Sequence, residues 1–130
     1  MRPALLLSLR PKFALAIYEG RKRIEFRRLA PRCSLPIKAY IYETRPVGRV
    51  TGIVDVVDII QAPVGELLKL VDASDLLRAD YRSYLSGASN PCGLLLERAQ
   101  KFMQGATISE LFDNLSRPPQ SFCYVSGRKR

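Results

Sequence analysis

The segment Val50–Ile60 constrains the fold most: seven of its eleven residues are valine or isoleucine, and Gly52 sits near its start. β-Branched side chains suit a pleated, half-buried surface, and a glycine inside such a run marks a bend or bulge. A strand that is long and bent can serve two faces of a curled sheet, which is what a small β-barrel needs. Gln61-Ala62-Pro63 closes the run.

The flanking segments supply the rest of such a barrel. Ala4–Leu9 is apolar without helical spacing and reads as a buried first strand ending near Ser8. Pro11 suits a first helical position, Phe13, Ala14, Ile17 and Tyr18 recur at helical spacing, and Gly20 supplies a left-handed stop. Ile37–Thr44 alternates and reads as a strand with Tyr40 and Tyr42 on one face. Further strands are expected over Cys92–Ala99 and at the end of Arg117–Val125, with a capping box at Thr107–Glu110 before a short helix carrying Leu111, Phe112 and Leu115. Between the long strand and Cys92, Gly65–Val71 and Ser74–Leu85 read as two helices, the second capped by Ser74 or Asp75 and ended by Gly87. This insertion holds Glu66, Asp72, Asp75 and Asp80, and is expected to face away from an anionic partner or to cover one barrel end. The expectation is α+β: a small β-barrel with a helix after the first strand and a helical insertion, forming one domain over 1–126 with a basic tail at 127–130.

The segment Gly20–Arg28 fits this scheme least comfortably. As a strand it would place Lys22, Ile24, Phe26 and Arg28 on one face and Arg21, Arg23, Glu25 and Arg27 on the other, so neither face is cleanly apolar. A charge here must therefore point into a cavity, where it needs a partner or a ligand. The overall charge is placed to match. Residues 1–49 hold twelve Lys and Arg against three Glu, whereas residues 50–126 hold six against nine acids. Basicity that local favours a polyanion-binding face, and RNA or another single-stranded nucleic acid is the first candidate partner.

Several chemistries are excluded or disfavoured. The chain has no histidine, and its three cysteines, Cys33, Cys92 and Cys123, are widely spaced without a CxxC pair, so no metal site and no histidine-based triad is expected. No phosphate-cradling GxxxxGKS/T or GxGxxG run is present, and no cofactor is expected. The apolar start at Ala4–Leu7 breaks at Ser8-Leu9-Arg10, too soon for a leader peptide or a membrane span, and the expected location is cytoplasmic.

Gly20-Arg21-Lys22-Arg23-Ile24-Glu25-Phe26-Arg27 reads G-x-K-x-x-E-x-R, and with a strand and helix before it the chain resembles the ASCH domain family, a branch of the PUA-like barrels. Ser8–Lys12, Tyr42-Glu43-Thr44 with Pro46-Val47, and Pro118–Phe122 are similar to the family's other conserved segments, so the resemblance spans nearly the whole chain. It implies a PUA-like barrel with a cleft against the first helix, and links to RNA binding and RNA-related regulation. It also implies that related chains include metal-independent ribonucleases and enzymes that deacylate 4-acetylcytidine. In that amidohydrolase group the motif lysine, a threonine at the glutamate position and a separate glutamate act together. Lys22 matches the first, Glu25 replaces the threonine, and the region of the separate glutamate offers mainly Asp72, Asp75 and Asp80.

The residues allow two uses of one cleft. In a binding site, Arg10, Lys12, Lys22, Arg27 and Arg28 hold phosphate beside the Ser8–Lys12 helix entrance, with Glu25, Thr44, Tyr42, Ser121 and Phe122 around a base-sized pocket. In a ribonuclease, Lys22, Arg27 or Arg10 stabilises the phosphorane while Glu25 or Tyr42 handles protons, and the 2′-hydroxyl attacks. A protein-interaction module in transcriptional or translational control is a third possibility, and Glu25 pairing with Arg27 or Arg10 simply to brace the barrel entrance is a fourth. Any shared cleft needs a bend near the helix exit, or Lys22 still in the turn, because alternation separates Lys22 from Glu25 and Arg27.

Overall fold

The computed structural model describes residues 2–113 and 115–126, so the basic tail at 127–130 lies outside the described residues. Six strands form one curled mixed sheet: β1 (Ala4–Leu9), β2 (Ile24–Arg27), β3 (Ile37–Glu43), β4 (Arg49–Gln61), β5 (Cys92–Ala106) and β6 (Phe122–Val125). Their spatial order is β2-β5-β4-β3-β1-β6, with β1 and β3 parallel and the other pairs antiparallel. Four helices complete the α+β architecture: α1 (Pro11–Tyr18), α2 (Val64–Leu68), α3 (Arg78–Leu85) and α4 (Ile108–Leu111).

β1 shows why its sequence lacks a period. Leu5, Leu7 and Leu9 pack beneath α1 with Ala14, Ile17, Ile41 and Val54, while Ala4 and Leu6 pack on the opposite face with Tyr40, Val50, Ile108 and Phe112. Both faces are dry, so both must be apolar. α1 ends as its sequence predicts: Gly20 is left-handed at φ 78°, its N–H bonds the Ile17 carbonyl, and the Arg21 N–H reaches back to Ala16.

β4 is the long bent strand expected, and its register slips against both neighbours near Gly52. A side chain at Gly52 would strike the Tyr18 hydroxyl and, at 2.5 Å, the Gln100 carbonyl oxygen. The glycine thus lets the end of α1 lie on the sheet, where the Tyr18 hydroxyl shares a 2.8 Å hydrogen bond with Thr51. Burial holds that phenol protonated up to about 12.

Two expectations need correction. Strand β5 continues seven residues beyond Ala99, to Ala106. Bulges between Ile53/Asp55 and Val50/Gly52 on its partner, with Arg98 at φ 55°, erase the alternation by which a strand is recognised. The second insertion helix begins at Arg78 rather than Ser74, and no side chain caps it. The Asp72 and Asp75 carboxylates accept the Ser74 and Leu77 N–H groups, and these local turns compete with helix. The insertion lies against the basic segment, with Leu67, Leu68, Tyr81 and Leu85 packed on Ile24 and Phe26 of β2, as a cover over that part of the sheet. The capping box at Thr107 forms as expected, with Thr107 accepting from the Glu110 N–H and Glu110 accepting from the Thr107 N–H.

Gly52→Ala is expected to destabilise the fold by about 1–3 kcal/mol, the usual cost of overpacking a filled site. Urea unfolding of the two proteins measures it, and a stability equal to wild type would show that α1 does not need to lie so close to β4.

Candidate functional site

The strip Lys22–Arg27 adopts the second of the two geometries its sequence permits. Lys22 precedes β2, in the turn, where its N–H bonds the Ala16 carbonyl; only Ile24–Arg27 is strand. From there its ammonium lies 3.2 Å from Glu25 Oε1 and donates to the Ile24 carbonyl at 2.5 Å. Arg27 Nη2 is 3.0 Å from the other Glu25 oxygen. The three side chains are 3, 7 and 4% exposed, so one carboxylate is buried between two cations.

Such a group survives burial only with further partners. Arg27 finds them across the open seam of the sheet: Nη2 donates to the Ser8 carbonyl at 2.9 Å and Nη1 to Ser121 Oγ at 3.1 Å. β2 and β6 are the two edges of the sheet, so a guanidinium bridges where no backbone ladder does. Lys22 finds its partners in rings. Its Nζ lies 5.7, 5.4 and 4.3 Å from the centroids of Phe13, Phe26 and Tyr81. Desolvation pushes the Lys22 pKa below its ordinary value, and the Glu25 charge and hydrogen bond oppose that shift. Burial first, then the nearby carboxylates of Asp75, Glu25 and Asp80, raises the Tyr81 hydroxyl well above the ordinary tyrosine range.

Above this ionic floor opens a cavity of about 190 Å³ whose walls come from β1, α1, β2, α3 and the loop before β6. Of the residues anticipated from sequence, Ser8, Arg10, Lys22, Glu25, Arg27 and Thr44 line it. Ser121 stands behind the wall and holds Arg27. The others lie elsewhere. Tyr42 packs on the opposite face of β3 with the cluster around Tyr40 and Val50, because it alternates with Ile37, Ala39 and Ile41, which face the main core. Phe122 packs under α1 and against the Tyr124 ring. Lys12 and Arg28 are clamps on α3: Lys12 pairs with Asp80 at 3.1 Å, and Arg28 donates to the Tyr84 and Ser86 carbonyls at 2.7 and 2.8 Å.

Sequence reasoning missed the aromatic and polar walls: Phe13, Phe26, Tyr81, Tyr84 and Gln120. The i, i+3 spacing of Tyr81 and Tyr84, which puts both on one face of a helix, was the available signal. Neither Asp72 nor Asp80 is free to act as a separate catalytic acid, since Asp72 is engaged by Ser74 and Asp80 by Lys12. Among the described residues no three of His, Cys, Asp and Glu gather in a way that would hold a metal ion. The Cys92 thiol is fully buried and pushed up to about 11, which makes it a poor nucleophile. No helix among the described residues is long and apolar enough to cross a membrane.

Arg27→Ala should cost about 3–5 kcal/mol in urea unfolding, the penalty for leaving a buried charge short of its partner. Lys12→Ala, which removes an exposed pair, should cost under about 1 kcal/mol. Equal effects of the two would contradict a seam held by Arg27.

Comparisons with known proteins identify the family and the fold. The family model described as ASCH domain matches residues 7–103. A curated relative from Zymomonas mobilis subsp. mobilis, named ASCH domain-containing ribonuclease, is 33% identical over 127 residues, covering 95% of this chain and 85% of the relative. The crystal structure of ASCH from Zymomonas mobilis superposes with a TM-score of 0.78 at 32% identity, over 94% of this chain and 87% of that one. A tyrosine-to-phenylalanine variant of that protein gives 0.79 at 31% identity, over 95% of this chain and 91% of that one. Family model, relative and fold agree, and the chain belongs to the ASCH domain family.

Proposed function

We propose that this protein binds single-stranded RNA by taking one unstacked nucleobase into the cavity above Lys22, Glu25 and Arg27. The observation that carries the reading is a buried ionic floor under aromatic walls. Cavities of about 150 Å³ hold a benzene ring, and this one is about 190 Å³. Single-stranded RNA is recognised by bases splayed onto aromatic side chains and hydrogen-bonded at their edges. Tyr84 and Phe13 offer the ring surfaces and Thr44 and Gln120 the edge contacts, while Arg10, whose guanidinium lies 5.3 Å from the Phe13 centroid, meets the phosphate at the mouth.

A second reading, cleavage of the bound strand, is favoured by the position of Lys22 in the cavity and by the name of the Zymomonas relative. A cation on the cavity floor can stabilise charge on a phosphate oxygen while a 2′-oxygen attacks the adjacent phosphorus. The 2′-hydroxyl gives its proton to water as its oxygen bonds phosphorus, the bond from phosphorus to the 5′-oxygen breaks, the 5′-oxygen takes a proton from water, and a 2′,3′-cyclic phosphate remains. Arg10 is the cation free to face the charge that develops on the phosphorane.

Lys22→Met and Tyr84→Ala are expected to weaken binding of a fluorescein-labelled oligouridylate in anisotropy titrations, and affinity should fall with salt by about 0.7 in log–log slope for each phosphate neutralised. Unchanged affinity in both variants, or a flat salt response, would overturn the binding reading. For cleavage, end-labelled RNA incubated with chelator should yield fragments ending in cyclic phosphate with the wild type and none with Lys22→Met. Binding without fragments would restrict the protein to recognition. Release of acetate from 4-acetylcytidine in a parallel tube would redirect the assignment to the deacylating branch, whose threonine is Glu25 here.

A further inference from the structure

A second groove lies at the other end of α1. Tyr18, Ile17, Val54 and Leu96 make its apolar floor, and Arg23 and Arg98 stand at its rim, in a volume of about 390 Å³. Lys22 borders both this groove and the cavity described above. The cavity lies against Arg10 and Phe13 near the start of α1, and the groove against Ile17 and Tyr18 near its end.

Three features mark the groove as built for an anion. Arg98 is the single non-glycine residue with positive φ among the described residues, and it sits on the bulge that interrupts β5. Left-handed backbone at a bulky residue costs free energy, and bulges re-aim side chains. The strained Arg98 is then held by Asp55 at 2.7 Å and Glu97 at 3.0 Å, through Nε and Nη1, which leaves Nη2 for a ligand. Arg23, by contrast, is exposed and makes no ion pair or side-chain hydrogen bond among the described residues. Lys101 adds a further cation, 5.8 Å from the Tyr18 ring centroid. The carboxylate on the rim, Glu97, is already spent on Arg98. At the end of α1 the Ala16 and Ile17 carbonyls accept the Gly20, Arg21 and Lys22 N–H groups.

The geometry points to this groove as a second RNA subsite, taking the phosphate and base of a nucleotide next to the one in the cavity, with Arg23 and Arg98 on the phosphate and the Tyr18 floor under the base. The inference rests on the RNA-binding reading. An oligonucleotide gains affinity by bridging both sites, whereas a mononucleotide needs the cavity alone.

Anisotropy and competition titrations with uridine monophosphate and with oligouridylates of increasing length test this on the full chain. Wild type should bind the longer strands more tightly, and Arg23→Gln with Arg98→Gly should abolish the gain while leaving the mononucleotide unchanged. The salt slope for the long strand should become shallower by about 0.7 for each cation removed. Glycine accepts the φ of Arg98 without strain, and a urea-unfolding midpoint equal to wild type shows that losing the Asp55 pair has not disturbed the fold. A double variant that keeps the wild-type length dependence, while Lys22→Met loses affinity, would overturn the groove and spare the cavity. Failure of wild type to bind any strand would remove both. Preference of the groove for poly-glutamate over RNA in competition would overturn the inference in favour of an acidic protein partner.

Discussion

The site depends on one buried carboxylate. Glu25 lies between Lys22 and Arg27, and each cation is tied in turn to a different part of the molecule. Arg27 joins the β2 edge to Ser8 and to Ser121 beside β6, while Lys22 is enclosed by rings from α1, β2 and α3. Removing a charge from water is costly, and the cost is offset here only because both cations find several partners. The same residues therefore stabilise the seam of a sheet that its backbone leaves open and supply the charged floor of a cavity.

The helical insertion has a comparable double role. Its acidic side chains suggested distance from a polyanion or a cover over one barrel end, and Tyr81, Leu67, Leu68 and Leu85 bury against β2 and make it a wall of the cavity. The acids are neutralised locally. Asp80 pairs with Lys12, Asp72 caps a turn through Ser74, and Arg28 closes the helix end through two carbonyls. Two cations that looked like phosphate ligands in the sequence hold this wall in place.

Much of the fold could be read in advance wherever a local rule agrees with the tertiary environment. The Ala4–Leu9 run, the Pro11 to Gly20 helix, the bend at Gly52 and the Thr107 capping box all formed as expected, because each rests on backbone geometry or hydrogen bonding within a few residues. Reading failed where a distant partner sets the outcome. β5 runs on through bulges because β4 supplies the ladder, and Tyr42 faces away from the site because β3 must present Ile37, Ala39 and Ile41 to the main core.

The sequence by itself determined that the charged segment Gly20–Arg28 has no clean apolar face, so that some of its charges must find partners. That Lys22, Glu25 and Arg27 are the ones that meet was implied only by the family motif, since alternation separates Lys22 from the other two. The sequence also determined the basic half of the chain and the barrel architecture, which follow from composition and periodicity. Only the tertiary structure decided what surrounds those charges. Tyr81 and Tyr84 are more than fifty residues from Lys22 in the chain, and Gln120 and Ser121 are farther still. They reach the site because burying the insertion and closing the seam bring them there, and that free-energy gain has no local signature along the chain.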